Sequence, residues 1–313
     1  MIGYLLRRVL TAIPVMGAVA LFVFLLLRLT PGDPAAVLAG DNASPEHLAH
    51  IRASLGLDEP LYVQFFTWIN HLLHADLGVS LISNVPVLSM IGDRVEPSIA
   101  IALFTIIVAI VVAVPLGVIA AWQHGTWIDR CVMGLSVLGF SVPGFVIGYV
   151  LIQLFAIDLR WLPVQGFKSL SGGFGPFLER MILPTMTLSF VYVALIARMT
   201  RAAMLDVLGD DYIRTARAKG ISETAVLLRH GLRNAAVPVI TVIGSGFALL
   251  ISGVVVVESV FNLPGIGRLT VDAVLARDYP VIQAMILLTS LIYVSVNLLV
   301  DVAYTLLDPR IRY

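Results

Sequence analysis

Two histidine pairs, His47/His50 and His71/His74, sit three residues apart in the first quarter of the chain. On a helix that spacing places both rings of a pair on one face, which is how a two-nitrogen metal site begins. A complete site needs further donors at matching geometry; spacing specifies no carboxylate or third ligand, so no metal is assigned. Ser141 and Ser171 stand outside any nucleophilic triad context. ATP hydrolysis through a P-loop needs glycines running into Gly-Lys-Ser/Thr. The two lysines, Lys168 in "GFKS" and Lys219 in "AKGI", are not preceded by glycine. No catalytic or cofactor-binding residue is assigned, the chain is read as not an enzyme, and any ATP-driven work must be powered by another chain.

The remaining polar chemistry is concentrated in "YIRTARAKGISETAVLLRHGLRN", Tyr212 to Asn234. There Arg214, Arg217, Lys219, Arg229 and Arg233 face Glu223 alone. Asp210 and Asp211 favour a helix start, and Gly220 suits the left-handed stop just after a helix end. Ser222 reads as the N-cap of a second helix, with Glu223 in its first turn. Three readings compete for this helix, glycine, helix segment: a topology signal, an anionic-lipid patch, or a docking element for a soluble partner. The first needs only scattered basic residues, and the second a denser juxtamembrane cluster. Neither demands a structured helix pair with a fixed glycine. The segment is too small and too close to the membrane for nucleic-acid binding. Two carboxylates near membrane depth complete the candidates. Asp301 is placed to pair with an inner-end Arg or a backbone donor, a role on a pathway being the alternative. Glu258 is a candidate gate or partner contact, and the glycines and Pro264 after it indicate tight turns.

These groups are carried by a chain that is 59% hydrophobic and only 13% charged, with a mean hydropathy of +0.96. Soluble domains average about 25% charged residues, so the fold class is an all-α integral membrane protein. Six apolar runs are long enough to cross a hydrocarbon core: Val9–Leu29, Ile99–Ala121, Cys131–Ile157, Met181–Ala197, Ala235–Val257 and Val281–Tyr304. The first is read as a retained span, because it is long and no small-x-small cleavage site follows. Gly244–Gly246, "GSG", lies inside the fifth and permits close helix packing. With the N-terminus inside, the C-terminus is inside too. The inner segments then collect most of the basic residues, as the positive-inside rule expects. The first outer segment is too long for a connector. It offers a helix from Pro45 and an aromatic, amphipathic stretch at Tyr62–Leu72, suited to an outer interface or to packing over the spans. Cys131 is the only cysteine, which excludes an intrachain disulfide.

The basic segment resembles the cytoplasmic EAA loop of binding-protein-dependent ABC importer permeases. Gly220 is followed by nine residues and then His230, with Leu232 two further on. Arg214, Thr215 and Ala216 stand where Glu-Ala-Ala is general, and Arg233 where proline is common, as in the dipeptide/oligopeptide/nickel branch. "LRR" at 6–8, "PGDP" at 31–34, "LGLDEPLYVQF" at 55–65, "ESVFNLPGIGRL" at 258–269, "RDYPVIQ" at 277–283 and "NLLVDVAYTLLDPRIR" at 297–312 extend the resemblance over nearly the whole chain. It implies a type I ABC importer permease fold with six transmembrane helices and an extended first periplasmic loop. The divisions are 1–30, cytoplasmic N-terminus and first span; 31–97, extracytoplasmic loop; 98–306, five-helix core with the coupling loop at 198–234; and 307–313, cytoplasmic tail. It further implies a multi-pass protein of the bacterial inner membrane with both termini cytoplasmic. The expected partners are a second homologous permease, two cytoplasmic ATPases that bind the ATP and Mg, an extracytoplasmic substrate-binding protein, and membrane lipid. Tyr212, Arg214, Ala216, Arg217, Gly220 and His230 would form the ATPase-coupling site. The implied cargo is a dipeptide or oligopeptide, with nickel, glutathione or another small solute as the alternative and a non-transporting membrane scaffold as the reading from another class.

Overall fold

The computed structural model describes residues 2–29, 35, 44–54 and 56–307. "PGDP" at 31–34, the tail at 308–313 and the side chain of His47 lie outside the described residues. In chain order the helices are α1 (Ile2–Leu29), α2 (Pro45–Ser54), α3 (Leu61–Leu73), α4 (Val87–Trp122), α5 (Trp127–Ser141) and α6 (Gly144–Leu151), which runs into a π-helical turn at Ile152–Asp158. Then come α7 (Phe174–Leu208), α8 (Asp211–Ala218), α9 (Glu223–Ala225), a second π-helical turn at Val226–Leu232, α10 (Arg233–Val260), α11 (Ile266–Ala276) and α12 (Tyr279–Leu307).

Two spans are far longer than their apolar runs. α4 has 36 residues and α7 has 35, and at about 1.5 Å per residue each exceeds a hydrocarbon core of roughly 30 Å. Both project beyond the bilayer, so the first long connection ends in helix at Val87 and the basic loop begins only after Leu208. The expected single span Cys131–Ile157 is not straight: α5 and the α6 segment meet at 103°. Pro143 is the cause. It offers no N–H to continue the ladder and forces Val142 into an extended conformation, φ −95° and ψ 123°.

That bent pair still traverses the membrane. α4 and α7 run parallel, with Phe104 beside Phe177, ring centroids 6.0 Å apart, and Gly117 beside Thr200, where a Cβ would come within 2.5 Å of the Thr200 Cβ. A chain leaving α4 at one end must therefore return through the full depth before α7 can start. With five long apolar helices, the bent pair makes six crossings.

Small residues bring the crossings together. In "GSG", Gly244 lies directly against Val300 of α12 and Gly246 against the ring of Tyr192, whose hydroxyl donates to Gly246 O at 2.6 Å. α10 runs antiparallel to both neighbours. Near the end of α12 Asp301 pairs with Arg8 of α1 at 3.0 Å, so its partner is an arginine at the same end of the bundle. The first turns of α1, the end of α12 and the segment 209–222 thus share one side. Trp122 and Trp127 are exposed at that end, and Trp161 at the other, matching the aromatic belts of a membrane protein. α3 rests on α1 through Phe65 and Trp68, 5.3 Å and 5.8 Å from Phe24, while Tyr62 and Phe66 remain exposed.

Candidate functional site

α8 is only eight residues long, too short to persist alone, so its stability must come from how it is mounted. Its inward face presents Ile213 and Ala216 to Val226, sealed by Val207, Leu208 and Ile221. Its end is a Schellman closure: Ile221 N–H donates to Ala216 O at 3.3 Å and Gly220 N–H to Arg217 O at 2.9 Å. Gly220 has φ +75° with open space around it. Glycine is required there by the backbone conformation rather than by crowding.

Polar contacts then tie α8 to the next helix. Arg217 reaches across the turn to Glu223 at 2.7 Å and 3.2 Å, and the carboxylate beside it raises the guanidinium above its ordinary range. Asn234 donates to the Tyr212 hydroxyl at 3.0 Å and to His230 O at 2.7 Å. Burial pushes the Tyr212 phenol up, with the Asn234 bond opposing. Ser222 occupies the expected N-cap position but makes no side-chain cap bond. The predicted second helix has no free end: α9, the π turn and α10 follow without a break, so it is the N-terminal extension of the fifth span. Gly231 in the π turn packs against Met204 of α7, where a Cβ would lie 2.9 Å from the methionine methyl.

The predicted coupling residues therefore separate into two sets. Tyr212, Arg214 and Arg217 lie on the exposed edge of α8, the Arg214 side chain being 76% exposed. Ala216 points inward into the small cluster, Gly220 shapes the turn, and His230 is half-buried behind the Asn234 contact.

Glu258 and Asp301 do not belong to this assembly. Glu258, near the far end of α10, is fully buried. It accepts from Ser98 Oγ at 2.5 Å and from Arg268 N–H at 2.8 Å, and Ser98 Oγ in turn accepts from Ile266 N–H at 2.8 Å. Gly265 lies so close to its carboxylate that a Cβ has no room, and a Cβ on Gly267 would collide first with Val255 of α10, 2.7 Å away. Between α1 and α4 His71 Nδ1 meets Asp76 at 2.9 Å and His74 Nδ1 meets Asn70 O at 2.8 Å, so these two rings have separate partners. Gly78 N–H, which donates to Asp76 Oδ1 at 2.9 Å, leads in holding that carboxyl below its usual range, with His71 adding to it.

A short helix sealed onto the adjoining ends of two long spans, with a polar edge exposed, has the form of a docking knob on a membrane bundle. Residues 113–313 match the family described as the binding-protein-dependent transport system inner membrane component, and residues 1–102 match its N-terminal companion. The chain belongs to this permease family. It is 54% identical over 99% of its length to a probable peptide ABC transporter permease of Sinorhizobium fredii, whose chain it also covers to 99%. It is 46% identical over the whole of both chains to a glutathione transport system permease of Salmonella typhimurium and to a putative peptide transport system permease of Brucella abortus. Its fold resembles that of the MetNI methionine ABC transporter, with a TM-score of 0.58 at 15% identity over 71% of this chain and 97% of that one.

As a member of this family the protein is the membrane subunit of an ABC importer in the inner membrane, working with ATPase and substrate-binding partners that are separate proteins. One polar assembly of the permease escaped the sequence reading. Asp129 of α5 and Arg201 of α7 form a buried pair 72 positions apart. From sequence Arg201 counted only toward the basic side of the membrane. The available signal was an acid in the first turn of an apolar helix, four residues after Gly125, where a nearby N–H or cation is the expected partner.

Proposed function

We propose that this permease forms half of the translocation pathway for dipeptides or oligopeptides, working by alternating access driven by two cytoplasmic ATPases. The observation that carries the coupling role is the mounting of α8. A two-turn helix braced by Gly220, by the Arg217–Glu223 bridge and by Met204 against Gly231 can pass a push to α7 and α10 as a lever rather than absorb it. Its exposed edge, with Tyr212, Arg214 and Arg217, meets a groove on the ATPase, and Ala216 and Gly220 set its shape. The side carrying α8, the start of α1 and the end of α12 is cytoplasmic, and the Gly265–Asp278 end faces the binding protein. ATP and Mg are held by the ATPase subunits, and a second homologous permease completes the pathway. Two states related by rigid-body motion, each favoured by a different nucleotide state, suffice for such transport.

Peptide cargo is favoured by the relative at 54% identity. Glutathione, itself a tripeptide, is the second reading, supported by full-length identity of 46% to a glutathione permease. Two measurements test the proposal. Tagged permease expressed with its neighbouring genes should bring down two ATPase chains and a second permease, and Arg214→Glu should weaken that capture. The cognate binding protein, titrated with dipeptides, longer peptides, glutathione and a nickel complex, should prefer a peptide. Recovery of the permease with no ATPase would overturn the coupling role, and a preference for nickel would overturn the cargo.

A further inference from the structure

The inner end of the bundle holds a polar joint that none of the steps above uses. Asp129 is 4% exposed, and both of its oxygens are engaged. Arg201 donates from Nε to Oδ1 at 2.5 Å and from Nη2 to Oδ2 at 2.8 Å, a guanidinium fork that fixes angle as well as distance. Gly125 N–H donates to Oδ2 at 3.0 Å, and His124 Nδ1 lies 3.2 Å from the same oxygen. Arg201 Nη2 also lies 3.1 Å from His124 Nδ1, so the turn between α4 and α5 is drawn onto α7 together with α5 itself.

The position of Arg201 gives the joint its meaning. It stands less than one turn before Met204, which Gly231 packs upon, and two turns before Val207 and Leu208, which seal the α8 cluster. One helix, α7, therefore carries both the seat of the docking knob and the partner of Asp129. From Asp129 the chain runs along α5, turns by 103° at Val142–Pro143, and enters α6. There Gly148 lies against Thr187 of α7 and against Val260 and Phe261 at the outer end of α10. Further along, the α5–α7 seam holds small-residue packing, where a Cβ on Gly139 would come within 2.6 Å of the Ala194 methyl, and the Arg198 guanidinium over the exposed Phe140 ring, 5.0 Å from its centroid. Apolar packing and a cation over a ring face fix spacing more than register, whereas a filled bidentate pair fixes both.

We propose that Asp129 and Arg201 are positioning residues: they form the joint through which a displacement of α8, carried by α7, moves the bent α5–α6 crossing and so reaches the outer half of the permease. The inference rests on the transport reading and deepens it. Without the joint, α7 still moves with the ATPase but slides past α5.

The test uses the complete importer, with its ATPases, second permease and binding protein, reconstituted in vesicles. Two quantities are read: recovery of the ATPase subunits, and substrate carried per ATP hydrolysed. The variants are Asp129→Asn, Arg201→Lys and the neutral double Asp129→Asn/Arg201→Gln, which removes the unpaired buried charge that either single change leaves. In all three the ATPases should stay bound while substrate per ATP falls by roughly tenfold, the size of a typical coupling free energy. Parent-like transport per ATP in Arg201→Lys or in the double variant would overturn the joint, because a purely structural pair is replaced by any hydrogen-bonded pair that fits. Loss of the ATPases from the variants would also overturn it, since the joint lies away from their contact. Failure of the parent chain itself to retain ATPases is the distinct result that would instead remove the transport reading.

Discussion

At the end of the bundle that carries α8, the proposed inner end, the buried carboxylate of Asp129 is held by a cation, the Arg201 fork, with a backbone N–H and a histidine beside it. At the outer end the buried carboxylate of Glu258 is held mainly by neutral donors, the Ser98 hydroxyl and the Arg268 N–H, inside a turn whose glycines leave no room for a side chain. The inner clasp joins two spanning helices through side chains alone. The outer clasp joins α4, the end of α10 and the start of α11 through backbone brought unusually close. A side-chain clasp depends on charge balance and on the geometry of the guanidinium fork; a backbone clasp depends on the absence of Cβ atoms and tolerates almost no added volume. The inner end is thereby suited to a joint that holds register while helices shift, and the outer end to a fixed corner.

The contrast is sharpened most by Asp129→Ala, which strands Arg201 at 19% side-chain exposure. Breaking a buried pair from one side should lower stability by about 3–5 kcal/mol, read as a drop in the detergent-solubilised unfolding midpoint. Next comes Gly265→Ala. The new methyl collides with the Glu258 carboxylate, and overpacking of this kind costs about 1–3 kcal/mol. The double change Gly265→Ala/Glu258→Ala should recover part of that loss. If it recovers nothing, crowding is not what the glycine relieves. The smallest effect is expected from Glu258→Gln, at about 1 kcal/mol, because the cage loses one charge-assisted acceptor but keeps its shape. Should Glu258→Gln prove as damaging as Asp129→Ala, the outer clasp would depend on charge after all and the distinction between the two ends would collapse.

Much of this arrangement was legible in the sequence because it is written in local patterns. Long apolar runs gave the crossings, and Gly220 between two helix-prone stretches gave the turn that the structure closes with two carbonyl bonds. "GSG" marked a close approach that Val300 and Tyr192 fill, and the position of Asp301 called for an inner-end arginine, supplied by Arg8. What stayed hidden depends on distance along the chain or on direction. Cys131–Ile157 reads as one span because hydropathy is blind to the bend that Pro143 imposes. The pairing of Asp129 with Arg201 follows only once α5 is laid on α7. Ile213 and Ala216, three residues apart, mark the apolar side of α8, but the residues that cover it, Val207, Leu208 and Val226, follow only from how the chain folds back on α7. From sequence, Glu258 is equally a gate, a partner contact or a turn; its enclosure depends on Ser98, 160 residues away.

The parallel run of α4 and α7 constrains how the protein is made. Antiparallel neighbours can pair as a hairpin while the nascent chain is still leaving the ribosome, but α4 must wait. Residues 123–173 have to thread the bilayer once before Gly117 can meet Thr200, and α7 must then enter between helices already in place. Until then the face of α4 that will be buried is exposed to lipid or to the insertion machinery. The seam on which the finished bundle is built therefore cannot close before the fourth crossing is made, and a nascent permease stalled before α7 would present that face to cellular quality control.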